Sequence, residues 1–329
     1  MTNLTDGFGR SINYLRLSVT DRCDFRCVYC MSEDVRFLPK AQVLTLEELL
    51  LTARSFTELG VNKIRLTGGE PLVRPGIVDL CHEISRLENL QELTLTTNGS
   101  QLSGLAHGLA GAGVSRINIS LDTLQETRFD SLTRRNKLSQ VLDGIDSAID
   151  AGFKRIKLNA VVMKQRNDDE IIDLINFARS RELDITFIEE MPLGEISSHS
   201  RRESFCSSDD VQAIIQQQFP LLSSAETTGG PARYFRMPGG SSRIGFISPY
   251  SHKFCDSCNR VRVTVEGHLL LCLGNEHSLD LRYLIRANPG NLEPVKNAII
   301  KALGNKPLDH QFSHSDEVQL VRFMNMTGG

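Results

Sequence analysis

The sequence predicts an α/β fold, a partial (β/α)6 barrel of the TIM type followed by a smaller α+β domain. Over the first two thirds of the 329 residues, short apolar segments alternate with amphipathic helices, which is typical of βαβ units and a parallel sheet. We count six such units, fewer than the eight of a closed barrel. Beyond residue 230 the pattern changes to short strands with Pro and Gly turns, and then to helix.

The strands are predicted where apolar residues recur at every second position. Those of the barrel are residues 14–19, 63–67, 92–97, 116–121, 155–163 and 184–190. Those of the smaller domain are residues 233–237, 243–248, 260–266 and 268–272. The stretch 223–231 is rich in Ser, Thr and Gly. We therefore predict two domains, residues 1–230 and 231–329.

Helix signals lie between the predicted strands. Thr45 and Glu48 have the spacing of a capping box that opens a helix, and Gly60 is placed to end it. A second helix is predicted from an apolar stripe at helical spacing. The stripe consists of Ile77, Leu80, Cys81, Ile84 and Leu87.

Composition excludes several classes of protein. Lys and Arg number 37 against 40 Asp and Glu, so the excess of positive charge typical of general nucleic-acid binding is absent. The sequence has neither an apolar run long enough to span a membrane nor the apolar core of a secretory signal at its start. We expect a cytoplasmic protein without nucleic-acid or membrane partners, whose eight cysteines serve metal binding or catalysis.

Cys23, Cys27 and Cys30 form a C-x3-C-x2-C group just after the first predicted strand. Parallel α/β folds carry their chemistry at that end of a strand. A structural zinc site has four protein ligands, whereas an iron–sulfur cubane held by three leaves one iron open. The alternatives are a zinc site completed by a distant residue and three unconnected thiols. With Tyr29 before the third cysteine, the group resembles the signature of the radical S-adenosylmethionine superfamily.

Further segments resemble the same superfamily. A Thr-Gly-Gly-Glu-Pro segment follows the second predicted strand; its glycines allow close backbone approach, and Glu70 is suited to binding an ammonium group. It resembles the superfamily's motif for the methionine amino group. Ser120 ends the fourth predicted strand and Met191 follows the sixth. The resemblance implies that Tyr29, Gly69, Ser120 and Met191 line the pocket for S-adenosylmethionine.

A second triplet, Cys255, Cys258 and Cys272, lies in the predicted smaller domain with the spacing C-x2-C-x13-C. A zinc ribbon is the alternative, because C-x2-C pairs are common in zinc sites and a nearby histidine would complete the set. The candidate histidines are His252, His268 and His277. Spacing alone leaves both open. Two triplets that each lack one ligand favour a second cluster, which binds substrate or passes an electron.

Cations recur at alternate positions of three predicted strands and after Cys258. They are Arg16, Lys63, Arg65, Arg155, Lys157, Arg260 and Arg262. Because successive strand side chains face opposite ways and the apolar face packs on helices, we expect these cations to point into the barrel. The alternative is that each is a solvated surface charge. Several inward cations are costly without an anion, and a triphosphate would match them.

With both triplets and these cations in place, the sequence resembles the GTP 3′,8-cyclase family of molybdenum cofactor biosynthesis, essentially from end to end. The resemblance implies two [4Fe–4S] clusters and S-adenosylmethionine as cofactors. The implied GTP-binding residues are Arg16, Arg65, Thr96, Lys157, Arg260, Val261 and Arg262. It further implies that the tail, Gly328 and Gly329, reaches into the active site and takes part in catalysis.

The activity implied by this resemblance is radical cleavage of S-adenosylmethionine, removal of the 3′ hydrogen of GTP and cyclisation onto C8. The product would be (8S)-3′,8-cyclo-7,8-dihydroguanosine 5′-triphosphate. A reductant protein such as flavodoxin or ferredoxin and a functional link to cyclic pyranopterin monophosphate synthase are implied, and a homodimer is one alternative for assembly. Two rival functions stay open: another two-cluster radical enzyme acting on a peptide or other small molecule, and a non-catalytic zinc-stabilised binding module.

Overall fold

The computed structural model describes residues 4–310, 312 and 320–328. Its strands are β1 Tyr14–Ser18, β2 Lys63–Thr67, β3 Glu92–Thr97, β4 Arg116–Ser120, β5 Arg155–Val162, β6 Asp184–Glu189, β7 Leu222–Ser223, β8 Arg233–Arg236, β9 Arg243–Ile247, β10 Arg260–Val263, β11 His268–Leu270 and β12 Ser278–Asp280. Its α-helices are α1 Leu46–Glu58, α2 Ile77–Ser85, α3 Leu102–Gly111, α4 Glu126–Thr133, α5 Leu138–Asp150, α6 Ile171–Ser180, α7 Arg201–Ser204, α8 Ser208–Gln216, α9 Leu281–Ala287, α10 Glu293–Leu303 and α11 Met324–Thr327.

All the strands belong to one sheet, in the order β12-β11-β10-β1-β2-β3-β4-β5-β6-β9-β8-β7. The run from β10 through β1 to β6 and β9 is parallel, and the outer strands are antiparallel. The predicted partial barrel is confirmed. Strands beyond residue 230 extend it at both edges, so the two predicted domains share a sheet, and the division at 230 stays a prediction.

The two faces of the sheet differ as the alternation predicts. On β1, Leu15 and Leu17 are fully buried in the apolar core between sheet and helices, whereas Arg16 faces the interior of the barrel. On β5, Leu158 is fully buried in the core, and Lys157 lines the interior cavity. The apolar face thus anchors each strand on its helices and leaves a polar lining inside.

The predicted helix start at Thr45 is confirmed. The Glu48 backbone N–H donates to Thr45 Oγ1 at 3.2 Å, and the Thr45 backbone N–H donates to Glu48 Oε2 at 2.9 Å. Gly60 follows the helix with a φ of +98°, a left-handed conformation that glycine adopts without strain. In the residues that the structure describes, no helix is long and apolar enough to cross a membrane.

Several strands end earlier than predicted. The tenth ends at Val263 because the next residues turn: the Gly267 N–H donates to the Thr264 carbonyl at 2.9 Å, and Gly267 has a φ of +87°. The eleventh ends at Leu270 rather than at Cys272. The loop that follows it carries the third cysteine of the second triplet, which therefore lies beyond the sheet.

Candidate active site

The first cysteine triplet lines a cavity at the carboxyl ends of the barrel strands. Cys23, Cys27 and Cys30 lie on the loop after β1, and loops after the other strands complete the wall. The structure brings all four residues predicted to bind S-adenosylmethionine to this cavity. They are Tyr29, Gly69, Ser120 and Met191.

The three thiols of this cavity lie in a low-dielectric setting. Burial raises the pKa of each, that of Cys30 to about 12. A metal centre that binds them must therefore displace their protons. Desolvated thiolates on one loop are the donor set of an iron–sulfur cluster, so the residues present fit this cofactor.

Neither cysteine triplet converges on a single ion. Among the described residues, the group of three potential ligands whose donor atoms all lie within 4.8 Å is Cys255, Asp309 and His310. A zinc ribbon would draw the donor atoms of its cysteines and a histidine around one point. His252, one of the three candidate histidines, instead hydrogen-bonds to Asp209 at 2.8 Å. Thiols spread more widely are compatible with a multi-iron cluster.

The role predicted for Glu70 is wrong. Its carboxylate is fully buried and accepts hydrogen bonds from Thr97 Oγ1 at 2.7 Å and from the Leu72 and Asn98 backbone N–H groups at 3.0 and 2.6 Å. Both oxygens are engaged within the protein, and Glu70 does not line the cavity. Burial raises the pKa of Glu70 to about 7. This residue holds the ends of β2 and β3 together instead of binding an ammonium group.

Asp122 is a cavity residue that the sequence did not single out. It receives a hydrogen bond from the Tyr29 hydroxyl at 2.7 Å and one from the Val161 N–H at 2.8 Å. Burial raises the pKa of Asp122 to about 6. In the sequence, Asp122 could have been found as an acidic residue two positions after Ser120, which ends the fourth predicted strand and was predicted to contact S-adenosylmethionine. It fixes the ring of Tyr29 in the wall of the cavity.

The second cysteine triplet lines a neighbouring cavity inside the barrel. Cys255, Cys258 and Cys272 form one part of its wall. All seven residues predicted to bind GTP line the same cavity: Arg16, Arg65, Thr96, Lys157, Arg260, Val261 and Arg262. Strand register explains this, since Arg16 on β1 lies opposite Arg65 on β2 and Arg262 on β10.

The cations of this cavity have no acidic partner in it. No aspartate or glutamate among the described residues lines the cavity. Burial, reinforced by neighbouring cations, lowers the pKa of Lys157 and of Arg262 well below their ordinary values. For Arg16, burial and the charges of Arg65 and Arg260 lower the pKa to about 10. The cavity therefore holds a concentrated positive charge that an anion would stabilise.

Buried polar atoms without a hydrogen-bond partner also indicate that this cavity binds a ligand. In the part of the chain that the structure describes, these include Arg16 Nε, Asn118 Oδ1, Asn159 Oδ1 and His310 Nε2, all on cavity-lining residues. Buried polar groups are almost always hydrogen-bonded in folded proteins. The cavity is thus prepared for a ligand with both anionic and polar groups. Asn118 and His310 were missed by sequence reasoning.

Two of the predicted inward cations differ from the rest. The prediction for Arg155 is wrong: its side chain is 51% exposed and pairs with Asp184 at 3.8 Å. Arg155 is the first residue of β5, so it emerges at the amino end of the barrel. Lys63 lines the cavity but is paired with Glu92 at 2.6 Å and donates to the Thr228 carbonyl at 2.6 Å. Its charge is already balanced.

The two cavities share a wall and are therefore adjacent. The residues that line both are Thr96, Asn159, Ile188, Met191 and Met324. Met324 opens α11 in the C-terminal tail. The Gly328 carbonyl accepts hydrogen bonds from Arg262 and, at 3.3 Å, from Arg16, so the tail reaches the cationic cavity. Gly329 lies outside the described residues.

Comparison with protein families divides the chain in two. Residues 17–178 match the family described as "Radical SAM superfamily". Residues 183–312 match the family described as "Molybdenum Cofactor Synthesis C". The first match contains the first cysteine triplet, and the second contains Cys255, Cys258 and Cys272.

Curated relatives align along nearly the whole chain. A "GTP 3′,8-cyclase" of Pseudomonas putida (strain W619) is 63% identical over 327 residues, covering 99% of this chain and 98% of the relative. "GTP 3′,8-cyclase 1" of Pseudomonas aeruginosa is 62% identical over 330 residues and covers 100% of both chains. A "GTP 3′,8-cyclase" of Marinobacter nauticus is 60% identical over 328 residues, covering 100% of this chain and 99% of the relative.

Solved structures with a similar fold include Streptococcus suis SuiB. Its complex with S-adenosylmethionine matches 87% of this chain and 68% of its own, with a TM-score of 0.57 and 16% identity. Its complex with the precursor peptide SuiA matches 82% of this chain and 62% of its own, with a TM-score of 0.58 and 17% identity. At such identities the likeness establishes the fold alone.

Proposed function

This chain belongs to the GTP 3′,8-cyclase family of the radical S-adenosylmethionine superfamily, and from this premise we propose how its two cavities divide the reaction. The reaction converts GTP to (8S)-3′,8-cyclo-7,8-dihydroguanosine 5′-triphosphate for molybdenum cofactor synthesis. In the proposal, the cavity lined by Cys23 holds S-adenosylmethionine, and the cationic cavity holds GTP. The observation that carries it is a group of cavity-lining cations that have no aspartate or glutamate beside them among the described lining residues, separated by one shared wall from a three-cysteine cavity.

In the first cavity, Cys23, Cys27 and Cys30 would hold a [4Fe–4S] cluster. When bound there with S-adenosylmethionine, the cluster would supply the one-electron chemistry that removes the 3′ hydrogen of GTP. Gly69 supports the proposed S-adenosylmethionine site because an added Cβ there would collide with the Arg22 carbonyl. Only a glycine lets the loop after β2 pack this closely on the cysteine loop.

In the second cavity, the cations would hold the triphosphate. Arg65 is oriented for this role, since its Nε donates to the Tyr14 hydroxyl and its NH1 donates to Thr96 Oγ1 at 3.0 Å. Fixed guanidinium groups bind phosphate oxygens with little loss of side-chain entropy. Cys255, Cys258 and Cys272 would hold the second [4Fe–4S] cluster beside the base.

The shared wall would bring the ribose of GTP close to the site of radical formation. Ile188, Met191 and Met324 contribute apolar surface to both cavities. Such a wall excludes water from a reactive intermediate while fixing the distance between the two ligands. Gly328, whose carbonyl is held by Arg16 and Arg262, would close the same wall as the catalytic tail.

Further parts of the proposal rest on the family. A reductant protein such as flavodoxin or ferredoxin would supply the electron, and the product would pass to a cyclic pyranopterin monophosphate synthase. All eight cysteines are unpaired, which supports a reducing compartment such as the cytoplasm. A homodimer stays one alternative for the assembly.

The rival functions fit the site less well. A peptide substrate would not need a cavity in which five cations have no aspartate or glutamate beside them among the described lining residues. A zinc-stabilised binding module would need its cysteines to converge on one ion, whereas the converging group among the described residues, Cys255, Asp309 and His310, contains one cysteine of the second triplet and none of the first. The GTP cyclase reaction explains both the cysteines and the cations.

Anaerobic reconstitution with iron and sulfide tests the proposal. The holoenzyme should contain about eight iron atoms per chain, as two [4Fe–4S] clusters require. With S-adenosylmethionine and reductant it should form 5′-deoxyadenosine when GTP is added, and much less with guanosine, which lacks the triphosphate. Stoichiometric zinc without iron, or equal turnover with both nucleosides, would refute it.

A further inference from the structure

Tyr14, the first residue of β1, is enclosed by the cations of the second cavity. It is 2% exposed and lines that cavity. Its hydroxyl accepts a hydrogen bond from Arg65 Nε at 2.6 Å, and Lys63 Nζ lies 5.0 Å from the centre of its ring. Strand register places Tyr14 opposite Lys63 on β2 and opposite Arg260 on β10.

Cations line the cavity together with this phenol from β1 itself, from both neighbouring strands β2 and β10, and from β5. They are Arg16 on β1, Lys63 and Arg65 on β2, Arg260 and Arg262 on β10, and Lys157 on β5. The carboxylate next to this group, Glu92 on β3, forms ion pairs with Lys63 at 2.6 Å and with Arg116 at 2.8 Å. Of the described lining residues other than the cysteines, Tyr14 is the one whose side chain becomes an anion on losing a proton in the ordinary pH range.

We propose that Tyr14 is the internal counter-anion of the substrate-free cavity. Its phenolate pairs with Arg65 and Arg16, and it takes up a proton from solvent when the triphosphate of the substrate binds to the same cations. The inference rests on the proposed function, because GTP is the incoming anion. Substrate binding is thereby linked to the uptake of a proton. Tyr14, which the family resemblance does not include among the site residues, gains a role in binding.

The energetics agree with this geometry. Burial alone would raise the pKa of the Tyr14 phenol, but the charges of Arg65, Arg16 and Lys63 outweigh it and lower the pKa to about 7. A bound triphosphate brings negative charge next to the phenol and raises that pKa again, so a proton is taken up. The neutral phenol still accepts the hydrogen bond from Arg65 Nε. Arg65 therefore stays oriented toward the substrate in both protonation states.

Calorimetric titration of the reconstituted holoenzyme with GTP, in buffers of different ionisation enthalpy, counts the protons taken up. At about pH 8, one unit above the phenol's pKa, the wild type should take up about one proton more per GTP than Tyr14→Phe. Protonation of GTP itself is the same in both and cancels. Above that pKa, the wild-type affinity for GTP should fall by up to about tenfold per pH unit relative to Tyr14→Phe. Tyr283→Phe, at a side chain 69% exposed on α9, controls for loss of a phenol elsewhere.

A second measurement does not depend on the folding of the variant. Ultraviolet titration of the wild-type holoenzyme without GTP should reveal one tyrosinate forming near pH 7, and GTP added at about pH 8 should remove its absorption. GTP binding with equal proton uptake in wild type and Tyr14→Phe, or no tyrosinate near neutrality, would overturn the inference and leave the proposed function intact. A tyrosinate that titrates near neutrality in a protein that does not bind GTP would instead refute the proposed function.

Discussion

At the scale of single residues, the two cavities use buried charge in opposite ways. In the cationic cavity, Arg16, Lys157 and Arg262 are destabilised by burial and by their neighbours, so the free protein gives up stability that a ligand restores. Near the first cysteine triplet, Glu70 and Asp122 are buried acids whose hydrogen bonds fix the surrounding backbone. A bound ligand would stabilise the cations, whereas the acids already stabilise the backbone around the first triplet.

Arg262→Ala tests the role of the cations. Loss of a charge-assisted hydrogen bond costs about 1.5–3 kcal/mol, so the Kd for GTP should rise roughly tenfold to 100-fold. The iron content should not change. Because Arg262 is repelled by Arg16 and Arg260, the free variant should unfold at the same or a higher temperature than the wild type. Titration with GTP and thermal denaturation measure both effects.

Arg155→Ala is the matched control, since it removes a strand arginine whose side chain lies outside the cavity. Its affinity for GTP should equal that of the wild type. Equal losses in the two variants would mean that the effect is one of overall charge and that Arg262 does not contact the nucleotide.

Glu70→Gln tests the structural role of the buried carboxylate. Burial raises the pKa of Glu70 from 4.5 to about 7, so across this window the folded protein keeps a proton that the unfolded chain has lost. Wild-type stability should therefore fall as pH rises from 4.5 to 7, by up to about 3 kcal/mol relative to the glutamine variant, which does not titrate. Anaerobic denaturant titrations at several pH values measure the difference. Two parallel stability curves would show that Glu70 is ionised throughout.

At the scale of elements, the site depends on close packing between consecutive loops at the ends of the strands. The Gly69 N–H donates to the Thr20 carbonyl at 2.7 Å, and the Glu70 N–H donates to the Arg22 carbonyl at 2.8 Å. These bonds join the loop after β2 to the loop that carries Cys23. The position of the first triplet is thus set by the neighbouring strand as well as by its own loop.

Gly69→Ala should separate these two loops, because its Cβ would collide with the backbone of Arg22. We expect a weakened affinity for S-adenosylmethionine, by roughly tenfold or more, and a lower iron content, since a forced backbone shift costs about 1–3 kcal/mol. Iron analysis and equilibrium dialysis with S-adenosylmethionine measure both.

Gly104→Ala provides the comparison, since a Cβ at this position of α3 meets no atom within 4 Å. This variant should bind S-adenosylmethionine as the wild type does and gain about 0.5–1 kcal/mol of stability from its helical alanine. If both variants bound S-adenosylmethionine equally well, the close contact at Gly69 would not matter for the site.

At the scale of the whole molecule, local sequence patterns predicted the barrel strands and both cysteine triplets, because each rests on short-range periodicity or spacing. They did not predict that β9 pairs with β6 and β10 with β1, since no local pattern records pairing between distant segments. Alternation predicted which face a cation occupies but not its depth along the barrel. For that reason Lys157 lines the cavity while Arg155, two residues earlier, is exposed at the amino end.

The pairing of β10 with β1 also explains how one cavity unites both halves of the chain. It places Arg260 and Arg262 beside Arg16 and carries the second cysteine triplet to the barrel interior. Each half therefore supplies cations to the same site. In the proposed function, this arrangement directs radical chemistry from the first cavity to the ribose of a nucleotide in the second.

Transfer of an isotope from GTP to 5′-deoxyadenosine would test this proposal. GTP carrying deuterium at its 3′ carbon is incubated with the reconstituted enzyme, S-adenosylmethionine and reductant, and the 5′-deoxyadenosine is analysed by mass spectrometry. We expect 5′-deoxyadenosine to form in proportion to the GTP consumed and to carry the deuterium. 5′-Deoxyadenosine formed at the same rate without GTP, or formed from labelled GTP without deuterium, would contradict it.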